Sequence, residues 1–235
     1  MSIEQRIAAL DWPCLTASLQ ADGVARAGPL LSVEECRSLA GLYADPGRFR
    51  SRVVMARHGF GSGEYQYFAY PLPDLVARLR EALYPPLALV ANAWAERLGA
   101  PTRYPESLPE MLDRCREAGQ TRPTPLLLSY QAGDYNCLHQ DLYGEHAFPL
   151  QAVFLLSDPD QDFDGGEFVL VEQRPRMQSR PRVFRLKQGE ALIFAVNHRP
   201  VQGAKGVYRT ALRHGVSTVA RGRRMTAGII FHDAT

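Results

Sequence analysis

The stretch "PLLLSYQAGDYNCLHQDLYGEH", residues 125–146, passes from an apolar run, Leu126 to Leu128, into a segment holding two histidines, three acidic residues and three tyrosines. A short apolar run closed by Gly and Asp reads as a buried strand followed by a turn. Six more runs of this kind follow: "LQAVFLLSD", "GGEFVLVEQ", "RVFRLKQ", "EALIFAV", "ALRHGVSTV" and "MTAGIIFH". Gly, Asp and Pro separate them, which leaves little room for helical crossovers. Residues 123–235 are therefore expected to form an antiparallel sandwich or barrel.

Upstream, the pattern is mixed. Ser2 to Leu10 is weakly helical, and "GVARAGPLL" is a candidate strand. Ser32 with Glu35 three residues on forms a capping box that starts a helix. Leu75, Val76, Leu79 and Leu83 share one helical face, and Leu87 to Leu98 repeats the period after Pro85 and Pro86, so two amphipathic helices are expected there. With 235 residues and 46% hydrophobic content, the chain can bury a full core. The expected fold is mainly β with flanking α-helices, in one domain over 1–235: a helical or mixed support region, 1–122, packed on a catalytic core, 123–235.

No window of 18 uninterrupted apolar residues occurs, and no basic segment followed by an apolar one opens the chain. The expectation is a soluble, cytoplasmic protein with no membrane association and no obligate protein partner. Four cysteines, Cys14, Cys36, Cys115 and Cys137, show no C-x-x-C pair and read as small buried residues. The net charge of +2 conceals an asymmetry, since 173–224 holds thirteen Lys/Arg and one acid, Glu190. A basic half suggests an anionic partner.

The chemistry concentrates in the opening stretch. His139 and Asp141 are one residue apart, so in an extended segment both side chains face one way and can grip the same ion. A third ligand is needed, and the remaining histidines are His58, His146, His198, His214 and His232. His214 lies in a β-type run with Arg224 ten positions on. Two histidines and a carboxylate can occupy one face of an iron(II) octahedron and leave three positions open.

These residues resemble the Fe(II)- and 2-oxoglutarate-dependent dioxygenases, which are built on a double-stranded β-helix, or jelly-roll, core. The matching pattern is H-x-D at His139 and Asp141, a distal histidine at His214, and Arg224 ten positions later. "YQAGDYNCLHQD" is similar to the family's Y-x-x-G lead-in, "FDGGEFVL" to its G-G-E strand, and "KQGEALIF" to the strand before its distal histidine. The resemblance implies Fe(II) held by His139, Asp141 and His214, with 2-oxoglutarate held by Arg224 and Tyr130 and dioxygen as oxidant. His198 is the rival distal ligand, but Tyr208 stands ten residues after it, whereas "HGVSTVARGRR" resembles the family's H-G-x-x-x-V-x-x-G-x-R.

Substrate is less specified. The lead-in resembles that of AlkB-type repair enzymes, although their second arginine, six residues after the first, corresponds to Ile230 here. The overall likeness is to bacterial oxygenases catalogued for oxidative demethylation of damaged nucleic acid. On that reading Arg174, Arg176, Arg180 and Arg182 would hold phosphates, and Tyr65, Tyr67 and Phe68 would stack a flipped base. Tyr135 and Tyr143 would wall the substrate pocket. The alternatives are a prolyl-type protein hydroxylase, a small-molecule hydroxylase, or a jelly-roll binding module without catalysis.

Overall fold

A computed structural model of the chain describes every residue except Tyr143. Fourteen strands are formed among the described residues. Four lie in the first half, β1 (Val24–Ala27), β2 (Phe49–Val54), β3 (Gly61–Ser62) and β4 (Glu64–Phe68). Five follow, β5 (Leu126–Gln131), β6 (Tyr135–His139), β7 (Leu150–Leu155), β8 (Phe163–Gly165) and β9 (Phe168–Gln173). The last five are β10 (Arg180–Phe184), β11 (Ala191–Ala195), β12 (His198–Gly203), β13 (Gly206–Val216) and β14 (Val219–Ile230).

They build two antiparallel sheets. The major sheet runs β1-β11-β7-β14-β5-β4-β2, with β8 on β14; the minor sheet runs β10-β9-β13-β6-β3, with β12 on β13. Every residue of β7 is buried because the strand is central in the major sheet, between β11 and β14. Such a strand reads as continuous apolar sequence, "LQAVFL", interrupted only by Gln151.

Five α-helices are formed among the described residues: α1 (Ile3–Ala8), α2 (Trp12–Asp22), α3 (Val33–Gly41), α4 (Asp74–Arg97) and α5 (Leu108–Glu117). The Ser32–Glu35 capping box is present at the start of α3, with both reciprocal bonds formed. The two helices expected across Pro85 and Pro86 are one 24-residue helix instead. Two prolines remove two N–H donors, but Leu83, Tyr84, Leu87, Ala88, Ala91 and Trp94 are all buried, so the packed apolar face carries the helix through. The first half also does more than buttress the core, since β4 pairs with β5 and β1 with β11 inside the major sheet. No helix among the described residues is long and apolar enough to cross a membrane.

A buried polar knot ties α4 to the segment after β14. The Arg80 guanidinium donates to the Ile230 carbonyl and to Asp233, each at 2.8 Å, and the Tyr70 hydroxyl donates to Asp233 at 2.9 Å. Arg80 is 1% exposed, so removing its partner leaves an uncompensated buried charge. Asp233→Ala is therefore expected to cost about 3–5 kcal/mol in urea denaturation. Beside this knot, burial and the Arg80 charge lower the His232 imidazole from 6.5 to about 4. The folded protein keeps His232 neutral where the unfolded chain is protonated, so this contribution is complete above pH 6.5 and is lost as pH falls toward 4. Between pH 7 and 5 it amounts to about 2 kcal/mol, measured as a steeper loss of urea stability in the native chain than in His232→Gln.

Candidate metal and co-substrate site

Antiparallel pairing of β6 with β13 sets His139 opposite His214. The next matched pair is Asn136 with Val216, so β6 carries one extra residue and bulges beside the two histidines. Close approach at the bulge depends on Gly215, where an added Cβ would lie 2.6 Å from the Asn136 carbonyl oxygen. Asp141 follows two residues after His139, just beyond the strand. The loop is anchored by Gln140, whose amide donates to the Asn197 carbonyl at 3.0 Å and the Leu212 carbonyl at 2.8 Å.

His139, Asp141 and His214 offer one ligand atom each within 4.8 Å of one another. They are the one such group of three found among the described residues. His139 Nε2 stands 3.5 Å from Asp141 Oδ1, and His214 Nε2 stands 3.2 Å from Asp141 Oδ2. The Nδ1–H of His139 donates to the Cys137 carbonyl at 2.8 Å, which fixes the ring with Nε2 turned toward the carboxylate. Burial pushes the His214 imidazole toward its neutral form. Burial alone would raise the Asp141 carboxyl, but its hydrogen bonds with His214 and Gln151 hold it well below the usual carboxylate range. Burial thus favours the neutral His214 imidazole and the contacts of Asp141 favour its carboxylate, the forms in which each can offer a lone pair to a divalent cation. His198 lies on β12 opposite Ala211, outside this group.

The three side chains line a cavity of about 340 Å³ between the sheets, and Tyr130 and Arg224 line the same cavity. Those two are paired across β5 and β14, with the guanidinium carbon 5.6 Å from the Tyr130 ring centroid. Arg224 is 3% exposed, and among the described residues no carboxylate forms an ion pair with it. Burial lowers it to about 10, still cationic at neutral pH. Its stem packs where Gly166 has no side chain; a Cβ there would sit 2.8 Å from Arg224 Cδ. The Tyr130 hydroxyl accepts a hydrogen bond from Asn136 at 3.2 Å, and burial pushes that hydroxyl's acidity down. A buried guanidinium that lines a cavity without an ion-paired carboxylate among the described residues has the chemistry to receive a carboxylate or phosphate there.

Comparison with known proteins agrees with this geometry. Residues 63–234 match the family Oxygenase-NA, described as "Oxygenase, catalysing oxidative methylation of damaged DNA". The chain belongs to this oxygenase family. Two Mycobacterium tuberculosis proteins, "Uncharacterized protein MT2286" and "Uncharacterized protein Rv2227", are each 50% identical to it over 167 residues, 71% of this chain and 72% of theirs. Among solved structures, a 2OG-Fe(II) oxygenase family oxidoreductase from Burkholderia pseudomallei aligns over 97% of this chain and 94% of its own, at 16% identity and TM-score 0.56. A Pseudomonas putida prolyl-4-hydroxylase aligns over 95% and 99%, at 15% identity and TM-score 0.54. The Oxygenase-NA chain thus has the jelly-roll fold of the 2-oxoglutarate–Fe(II) oxygenases.

The other expected residues divide. Tyr65 and Tyr67 line the cavity, with their rings edge to face at 5.4 Å, whereas Phe68 is fully buried in the core and cannot stack a substrate. Alternation along β4 explains the split, since neighbours point to opposite faces. Tyr135 is 42% exposed and does not line the cavity, and Tyr143 lies outside the described residues. Asp134 accepts from the Gln131 backbone and the Ser62 hydroxyl, as a turn residue does. Of the four arginines, Arg174 pairs with Glu172 and Arg182 with Asp22, leaving Arg176 and Arg180 exposed. Cys14 and Cys137 are exposed, not buried as expected, and Cys137 lines the cavity. Sequence reasoning passed over Asn136, Phe60 and Gln151, which also line it. Of these, Gln151 had a signal, as the one polar residue in an apolar run.

Gly215→Ala is expected to force β6 and β13 apart at the bulge. The expected loss, of the order of about 1–3 kcal/mol for overpacking, is read by urea denaturation.

Proposed function

We propose that this Oxygenase-NA member is an Fe(II)- and 2-oxoglutarate-dependent oxygenase that removes N-methyl groups from alkylated nucleic acid. The observation that carries the reading is one cavity holding both a two-histidine, one-carboxylate set and a buried arginine that has no carboxylate in ion-pair contact among the described residues. The donor set suits iron(II), with three positions left for ligands from outside the protein. The guanidinium suits the far carboxylate of a dicarboxylic acid whose 2-oxo acid end reaches the metal.

His139 Nε2, Asp141 and His214 Nε2 hold the metal in this reading. Arg224 and the Tyr130 hydroxyl orient 2-oxoglutarate, and the apolar walls formed by Leu126, Leu128 and Val153 exclude water. The bound iron supplies activation of dioxygen, with 2-oxoglutarate giving up two electrons as it becomes succinate and carbon dioxide. One oxygen atom enters an N–CH₃ group of the substrate; the resulting N–CH₂OH splits to N–H and formaldehyde. No methyl donor takes part, so methyl removal fits this site better than methyl addition.

Several features support a nucleobase as substrate. Tyr65, Tyr67 and Phe60 give the cavity flat aromatic surfaces, and Arg50 lies 4.5 Å from the centroid of the Tyr67 ring. Bases stack on such surfaces once they leave the duplex. Exposed Arg176 and Arg180 are the phosphate contacts in this proposal.

Two measurements test it. Anaerobic Fe(II) with 2-oxoglutarate is expected to give a visible charge-transfer band that His139→Ala or Asp141→Ala abolishes and that Arg224→Leu shifts to about 100-fold higher 2-oxoglutarate concentration. A band indifferent to all three would reject the assignment. Succinate release is then measured over methylated oligonucleotides, prolyl peptides and amino acids. Stimulation by oligonucleotides alone, weakening as salt rises, is expected; stimulation by prolyl peptides alone would make this a protein hydroxylase.

A further inference from the structure

Gln151 is out of place in its strand. β7 is buried along its whole length, Gln151 is 5% exposed, and its cross-strand neighbours on β11 and β14 are Phe194 and Ile230. A buried amide in such surroundings is costly unless both its halves are hydrogen-bonded. One half is engaged: Nε2 donates to Asp141 Oδ2 at 2.8 Å and lies 3.2 Å from His214 Nε2. The other half is not, because Oε1 is buried with no hydrogen-bond partner among the described residues. Turning the amide over would only set that oxygen against the Asp141 carboxylate, so this orientation is the one electrostatics favours. Stability of the sheet alone gives no reason to keep a half-satisfied amide there.

We infer that Gln151 is a positioning residue for the metal site, holding the Asp141 carboxylate through Oδ2 so that its orientation between the two histidine Nε2 atoms is fixed. The inference rests on the reading of His139, Asp141 and His214 as metal ligands. The backbone of β7 is held on both sides by β11 and β14, so the amide is a rigid post, whereas Asp141 sits on a loop just past the end of β6. A loop carboxylate held by one fixed donor fewer samples more rotamers, and the added cost of ordering it opposes metal binding. The contact to His214 is one that a cation at that imidazole replaces. The contact to Asp141 can persist, since a carboxylate has a second oxygen to offer.

The test is a titration of the full-length protein with Co(II), followed by its visible absorption, with far-UV circular dichroism as a check on folding. Asp141→Ala is expected to abolish saturable binding. Gln151→Leu removes the donor, and Gln151→Asn keeps an amide in the strand but is one methylene too short. Both are expected to raise the Co(II) Kd by about 10- to 100-fold and to alter the visible band while the fold is retained. Native affinity and a native band in both Gln151 variants, with Asp141→Ala inactive in binding, would overturn the role of Gln151 alone. Native affinity in Asp141→Ala would overturn the ligand reading and this inference with it. Loss of fold in both Gln151 variants, unrelieved by Co(II), would assign Gln151 to stability and also overturn the proposal.

Discussion

The pairing of His214 against His139 across β13 and β6 is the constraint from which the rest of the centre follows. Side chains alternate along a strand, so a slip of one residue on either strand would turn one imidazole away from the cavity. The bulge after Asn136 and the bare Cα of Gly215 fix the spacing at that point, and Asp141 can reach both rings only because the chain leaves the sheet directly after His139. The same sheet geometry brings β14 alongside β5, placing Arg224 beside Tyr130 in the wall of the cavity.

Two buried arginines show what separates support from function in this interior. Each guanidinium nitrogen of Arg80 has a partner, a carbonyl, a hydroxyl or a carboxylate, and the residue joins a helix to the segment after the last strand. Arg224 is as deeply buried but has no carboxylate in ion-pair contact among the described residues. A buried cation held without such a partner is a cost to the fold rather than a support for it. His214 Nδ1 is likewise buried without a partner among the described residues, and together with Gln151 it marks the interior face where polar groups are held for something other than packing.

The walls of the cavity come from both halves of the chain. Tyr65 and Tyr67 stand on β4, which hydrogen-bonds to β5, and Phe60 stands just before β3, which hydrogen-bonds to β6. The match to the Oxygenase-NA family begins at residue 63, so it takes in β4 and the tyrosines and stops short of Phe60. The rim of the cavity thus combines a shared framework with residues from outside the matched region.

Sequence alone determined what depends on local order: the mainly β core, the capping box at Ser32, and the H-x-D pair, because alternation and spacing are properties of neighbouring residues. It also suggested His214 and Arg224, through their ten-residue interval rather than through any contact. The continuous α4 was hidden, since a pair of prolines reads as a break until the packed face of the helix is seen. So was the role of the first half in both sheets, and so were Asn136, which bonds the Tyr130 hydroxyl from the opposite sheet, and Gln151, which meets His214 only across the space between the sheets. Long-range register and burial decide which polar groups face one another. Those belong to the sandwich as a whole, because each strand's inward face is defined only by the strands and helices that cover it.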